Sequence, residues 1–461
     1  MDMSWQPDLP AVMPCDYDRA TVTPGIVHFG TGRRFRTAIA PLVDRILAMG
    51  HLEWGIVAVS QSDGPIHQAL ATNDASYVLV EAHGRMLTRR SIHAIHRLLH
   101  ARHDGEAVVA AIADPRTQLI TVAIGESAYR QSAAATDSCH DVSPAAGATG
   151  RDRAIDPIGQ IVAGLAARCD AGSGGLTILA CDNLDQNNVI LASLIDEAAV
   201  AHDVAFADWI AANIRFPAVF GDRFLINDLP ASTAIGGADV AVEPFAQWVL
   251  EDNLGPERVP LAAIGVSFVA EARPFQKVRR RLLEGGLLLL ALCGRLRGHD
   301  RLDSAVADSE ICMLLDSYFV ETAGALPPLK GFDPERYCTE LTRRFANPAL
   351  NLQLAGLLCD GSVQIREIIL PTIADALRLG RSAEPAAAVV AAWMLHCTSD
   401  DVEDPHAECL TAIAQLAGAD WHKLTALMCD YEPVFGNLGR KPLFREMTER
   451  AVRLLPGLHA L

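Results

Sequence analysis

Between Gly25 and Val59 the spacing of apolar residues changes twice, and those changes limit the fold more than anything else in the chain. Ile26, Val27, His28 and Phe29 form a short run that ends at Gly30-Thr31-Gly32. Ile39, Leu42, Val43, Ile46 and Leu47 follow at helical spacing, and Gly55 to Val59 is again a continuous apolar run. Short apolar runs bounded by turn residues suit strands buried on both faces, while the wider spacing suits a helix lying across them. Strand, glycine turn, helix, strand is the opening of a parallel sheet built from βαβ units.

The alternation continues. Ile66–Leu70 reads as helix, Tyr77–Glu81 as strand with an excursion through Arg85–Arg89, and Ile92–His100 as helix. Leu119–Ile124 reads as strand, Ile158–Arg168 as helix and Leu176–Ala180 as strand, with a loop rich in Ala, Ser, Thr, Gly and Asp over residues 131–153. Beyond about residue 255 helical patterns dominate, including Phe275–Leu296, Ser304–Thr322, Pro334–Phe345, Leu350–Cys359, Arg366–Leu379 and Pro385–Cys397. The expected class is α/β. A Rossmann-like parallel-sheet domain spans residues 1–255, and a mostly α-helical substrate-binding domain spans 256–461.

A formal charge of −17 argues against a nucleic-acid surface, because phosphate neutralisation needs clustered Lys and Arg. A local basic pocket for a small anion stays compatible with it. The 11 cysteines are scattered without a paired framework, which reads as reduced thiols in a cytoplasmic protein. Met1–Pro14 has no basic region followed by a long apolar run, and Leu287–Cys293 is far too short for a bilayer. The expected partners are small molecules, neither nucleic acid nor membrane.

Gly30-Thr31-Gly32-Arg33-Arg34-Phe35 fits the start of a dinucleotide fingerprint, with Phe35 in the place of its third glycine. Gly30 and Gly32 would let the backbone turn and approach a diphosphate, with Arg33 and Arg34 within reach of it. Asp63, just after the second strand, is placed to bind an adenosine ribose. A plain strand-to-helix turn and a plain turn aspartate fit the same spacing. Either NAD or NADP suits the pattern.

Six segments together resemble the mannitol dehydrogenase family of polyol and hexuronate oxidoreductases. They are Ile26–Gly32 with Arg36, Cys181-Asp182-Asn183-Leu184, Phe216-Pro217 with Asp222-Arg223, Glu243–Asn253, Arg344–Pro348, and Asp360-Gly361-Ser362. The resemblance runs in order over about residues 24–455 and implies NAD(P)-dependent interconversion of a secondary alcohol and a ketone. The implied substrate is a polyol, keto-sugar or sugar acid, and no metal is implied. Asn183 would be an oxyanion partner and Asp222 would face substrate.

The family's catalytic helix reads KxRLLNGxH. Here Leu282-Leu283 and Gly285 set the register, so Arg279 stands for the catalytic Lys, Glu284 for the Asn and Leu287 for the His. Gln364 stands where many relatives have a substrate-binding Lys. Arg is a poor proton acceptor, so Arg279 would anchor an anion or polarise a carbonyl, and Glu284 would be the acid/base. Five positions are about 500° of regular helix, some 140° apart in projection, which disfavours a direct Arg279–Glu284 pair. Lys277, Arg280 and Arg281 read equally well as a solvated basic face. His93, His96 and His100 read as an exposed stripe on a helix. Loss of base, donor and His together also fits a catalytically silent nucleotide-binding or regulatory protein.

Overall fold

The computed structural model describes residues 10–125, 127–129, 156–182, 184, 186–226, 236–254, 259–399 and 402–455. The chain divides into two compact units, Met1–Arg273 and Pro274–Leu461. Among the described residues no helix is long and apolar enough to cross a membrane.

Among its described residues the first unit has 13 strands: β1 Pro24–Phe29, β2 Gly55–Ser60, β3 Tyr77–His83, β4 Met86–Ile92, β5 Ile95–His100, β6 Leu119–Val122, β7 Leu176–Ala180, β8 Ile214–Arg215, β9 Val219–Asp222, β10 Leu225–Ile226, β11 Val240–Val242, β12 Gln247–Glu251 and β13 Ser267–Val269. Its helices include α1 Ala40–Ala48, α2 Pro65–Thr72, α3 Gly105–Ala113, α4 Pro157–Asp170, α5 Asn187–His202 and α6 Val204–Asn213. Six strands form a parallel sheet in the order β5-β2-β1-β6-β7-β8. Alternate residues feed two cores. Ile26, Ile56, Leu119 and Leu179 face α1, whereas Val27, Val57, Ile120 and Ile178 pack with residues of α3, α4 and α5. The order reverses between β1 and β6, so the ligand crevice of such a sheet lies at their carboxyl ends. The α/β expectation holds.

The segment read as a helix over Ile92–His100 is instead the end of β4, a corner, and β5. Ile92, Ile95 and Leu98 recur at helical spacing because a strand ends, the chain turns, and the next strand bulges at His96. Residues 350–359 likewise hold the end of the 3₁₀ turn Pro348–Leu350, a left-handed Asn351 (φ +47°) and a second 3₁₀ turn, Ala355–Leu357, rather than one helix. Ser304–Thr322 is broken at Asp308, whose carboxylate caps the helix Ser309–Ala325 through the N–H groups of Glu310 and Ile311.

Residues 259–273 pack with the first unit, and the compact units part at Arg273/Pro274. The cause is local. β13 pairs with β12, and the Glu251 carboxylate accepts from Ala218 N (2.9 Å) and Ala272 N (3.1 Å). The second unit is helical, with an apolar helix Glu384–His396 buried along nearly its whole length. A helix apolar all round belongs in a core.

Candidate functional site

At the end of β1, Gly30 has φ +102°, and a Cβ there would lie 2.1 Å from the Ala123 carbonyl oxygen. Only glycine lets the ends of β1 and β6 come this close. A Cβ on Gly32 would meet nothing within 4 Å, so its face of the loop is open. The loop is held from below by Arg36, which is 4% exposed. Its Nε donates to Thr31 O (3.1 Å) and its Nη1 to Ala238 O. Arg33 is exposed and Arg34 half-buried in the first helical turn.

Phe35, at the third-glycine position, opens a π-turn over Phe35–Ile39 and stacks on His28 with ring centroids 4.0 Å apart. Complete burial pushes the His28 imidazole down to about 3, so it is neutral, and Nδ1 lies 2.6 Å from Thr121 Oγ1. The ring stack fills the space that a third glycine would have closed by direct helix–strand contact.

Asp63 stands exposed beyond the end of β2. Its carboxylate meets His103 Nε2 at 3.3 Å and His100 Nε2 at 3.1 Å. The His103 hydrogen bond, with help from His100, holds the Asp63 carboxyl below the usual range. His100 comes from β5 and is 4% exposed. Its Nδ1 accepts from Arg102 N (3.2 Å) and His103 N (3.4 Å), which leaves the ring proton on Nε2, toward Asp63. The approach to Asp63 lacks hydrogen-bond angles, and His100 Nε2 is a buried polar atom without a hydrogen-bond partner among the described residues. Both amide atoms of Gln61 and Nδ1 of His67 are in the same condition, and the His67 and His100 rings meet edge-on at 5.4 Å.

Buried polar groups are ordinarily satisfied, so orphaned ones at a strand's carboxyl end point to a polar ligand. Together with the Gly30 cradle they leave unpartnered donors and acceptors at the carboxyl ends of β1 and β2 that a polar ligand could take up. Sequence reading reached Asp63 and missed its neighbours, because His100 had been read on a helix.

Asn183 lies outside the described residues. Asp182, beside it, accepts from Ile124 N (3.0 Å), Gly125 N (3.1 Å) and Tyr129 Oη (3.0 Å), and so fixes the chain leaving β6. Asn187 Nδ2 donates to Ala180 O (2.9 Å) and Asp182 O (2.6 Å). The sequence showed Asp182 only as part of a motif, and an acid directly after a buried strand was the available signal.

Asp222 is 2% exposed at the end of β9, opposite Gln247 of β12. The motif around it is largely a framework. Arg223 donates to Glu243 O (3.0 Å) and to the Glu81 carboxylate (2.5 Å), while Glu243 accepts from Phe224 N (2.5 Å).

In the second unit, the helix through Arg279 is interrupted by a π-turn over Arg280–Glu284 before it resumes at Gly285–Leu296. That turn overturns the projected 140° separation. In the i→i+5 register the fifth residue comes nearly overhead, and Arg279 Nη1 donates to Glu284 Oε1. Their side chains keep 22% and 26% of their exposure. Tyr318 Oη donates to Arg281 O within the turn (2.7 Å), and a Cβ on Gly285 would lie 2.0 Å from that hydroxyl. Leu287 is half-buried one turn on.

The basic run is not a solvated face. Arg281 is 7% exposed, and it donates to Ile368 O (3.0 Å) and Thr372 Oγ1 (2.6 Å). Lys277 pairs with Asp375 (2.8 Å) and Arg280 with Glu367. These three cations hold the helix against residues 365–378, which also begin with a π-turn, Ile365–Ile369. Gln364 turns inward to its own chain, donating to Leu357 O (3.0 Å) and Cys359 O (2.8 Å).

The mannitol dehydrogenase Rossmann domain matches residues 24–262, and the mannitol dehydrogenase C-terminal domain matches residues 271–455. Mannitol 2-dehydrogenase of Pyricularia oryzae is 28% identical over 94% of this chain and 91% of its own length. Among solved structures, a D-sorbitol dehydrogenase in substrate-free form matches with a TM-score of 0.85 at 25% identity, covering 98% of each chain. The Pseudomonas fluorescens mannitol 2-dehydrogenase ternary complex with NAD and D-mannitol matches with a TM-score of 0.74 at 26% identity, over 98% of this chain and 95% of that one.

Proposed function

Because the chain belongs to the mannitol dehydrogenase family, we propose that it is an NAD(P)-dependent oxidoreductase interconverting a secondary alcohol and a ketone on a polyol, keto-sugar or sugar acid. The observation that carries this reading is the loop at Gly30–Gly32, a backbone cradle beside orphaned buried polar groups of Gln61, His67 and His100. A nicotinamide dinucleotide, NAD or NADP, supplies the hydride acceptor or donor when bound. Gly30 and Gly32 admit its diphosphate, Arg33 and Arg34 add positive charge there, and Asp63 accepts from a ribose hydroxyl.

The substrate hydroxyl needs a proton acceptor, and its oxygen needs a donor as charge develops. In this reading the Glu284 carboxylate takes the proton while the Arg279 guanidinium polarises the oxygen. Asp222, Leu287 and Gln364 shape the substrate's surroundings. The Arg279–Glu284 contact supports such a role because a guanidinium and a carboxylate already share one face of the helix.

The same contact favours a second reading. Each group has the other as partner, so an unengaged base is lacking, as expected of a silent nucleotide-binding protein. The test is absorbance near ~340 nm with NAD(P)H and a panel of keto-sugars and keto-acids. Turnover that Glu284→Gln lowers by at least about 100-fold supports the enzyme, since general base catalysis contributes on that order. Cofactor binding without turnover on any panel member supports the silent protein. Absence of cofactor binding defeats both.

A further inference from the structure

We propose that the amino-terminal edge of the six-stranded sheet carries a second binding site, for a small polyanion of sugar size bearing phosphate or several carboxylates. A cavity of about 340 Å³ opens there, lined by Val22, Thr23, Val57, Ala111 and Thr117, with His96, Arg97 and Arg116 at its polar side. Pockets of this volume take whole small molecules. It lies where β1, β5 and β6 begin, whereas Gly30 and Asp63 lie where β1 and β2 end.

A backbone irregularity builds the site. In the pairing of β5 with β2, Ile95 faces Ile56 and Arg97 faces Val57, so His96 is an extra residue. Without it, Arg97 would share a face with Ile95, which packs in the core beside α1. The bulge carries Arg97 to the face of Leu99, which packs with α3 and α4, and both His96 and Arg97 line the cavity. A one-residue slip exchanges the two faces of a strand, and bulges are a recurrent means of re-aiming side chains. The bulge needs Gly55 beneath it, where a Cβ would lie 2.5 Å from Val22 and 3.2 Å from the His96 Cβ.

The charges point to an anion. Arg97 has no hydrogen bond or ion pair among the described residues, in a chain whose formal charge is −17. The His96 ring is held below the ordinary imidazole range, by burial first and then by the guanidinium groups of Arg19, Arg97 and Arg116. Of these, Arg19 pairs with Asp74 and Arg116 with Asp114, so Arg97 is the guanidinium left to meet a ligand. The acid lining the cavity, Asp114, is taken by Arg116, whose backbone N donates to Oδ1 (2.9 Å), whose Nε reaches both Oδ1 (3.0 Å) and Oδ2 (3.2 Å), and whose Nη2 donates to Oδ2 (2.6 Å).

The carboxyl end of α3 also borders the cavity, and exposed carbonyls there would repel an anion. Three of the last four are already covered. Asp114 N donates to Ala110 O (3.0 Å), Thr117 Oγ1 to Ala111 O (2.7 Å) and Arg168 Nη1 to Ile112 O (2.9 Å).

Calorimetric titration of the full-length protein with inorganic pyrophosphate and with citrate, each with and without saturating NADH, tests the site. Saturable binding that persists with NADH and weakens about tenfold or more in Arg97→Glu supports it. Arg97→Gln should give a smaller loss, and it replaces Arg97→Glu if that variant melts early. It is overturned by no saturation with either probe up to roughly 10 mM, by binding equal in both Arg97 variants and the parent, or by displacement of the probe by NADH. The last would assign the anion to the glycine loop. A response matched by sodium chloride at equal ionic strength also overturns it, since that is general screening.

Discussion

Gly30 is the residue on which the first unit's crevice depends. A methyl group there would strike the Ala123 carbonyl, at a backbone angle that side chains rarely adopt. Gly30→Ala should abolish NADH binding and cost roughly 1–3 kcal/mol in urea unfolding, the range for a strained non-glycine residue. His28 lies beneath that loop, stacked on Phe35. Its folded value of about 3 is below the unfolded 6.5, so between those pH values the unfolded chain binds the extra proton. Stability should therefore rise with pH across that window, by about 1.4 kcal/mol per unit from this group. His28→Phe should flatten that part of the stability profile measured by urea titration. Such residues were half legible. Gly30, Gly32 and Asp63 announce themselves by type and position, whereas Gln61 and His100 matter only through what surrounds them.

At the scale of the element, the decisive features were irregularities. Arg279 and Glu284 were found from their register in a motif, yet their pairing could not be, because a π-turn has no composition of its own. It is sustained by Tyr318, 34 positions beyond Glu284, whose hydroxyl holds the Arg281 carbonyl in place. Gly285→Ala would press a methyl group on that hydroxyl and should destabilise the protein by about 1–3 kcal/mol, the usual cost of overpacking. Far-ultraviolet circular dichroism during thermal melting would show the loss as a lowered midpoint. Edge strand β5 misled for a related reason. A corner and a bulge imitate the 3–4 spacing of a helix, and pattern alone does not separate them. Strands β1, β2, β6 and β7 were legible because burial on both faces leaves continuous apolar runs.

For the whole molecule, the parallel sheet followed by a helical half was readable from the order of patterns, while the border between the units was not. Residues 259–273 carry little periodicity, and what binds them to the first unit is β13 beside β12 and the Glu251 carboxylate on Ala272 N. A fragment ending at residue 255 should therefore melt well below one ending at residue 273. Differential scanning calorimetry of the two fragments would decide this, and equal midpoints would show that residues 256–273 contribute no stability to the first unit.

The π-turn at Arg280–Glu284 also determines how this chain can change over generations. A π-turn holds one residue more than the α-helical turn it replaces, so losing any one of these five would leave an unbroken helix. The deletion would cost little in helix formation, but it would rotate Arg273–Arg279 by about 100° relative to Gly285–Leu296. Point substitutions can alter the chemistry of the helix at Arg279 and Glu284, whereas a change in its length there would re-aim every side chain upstream at once.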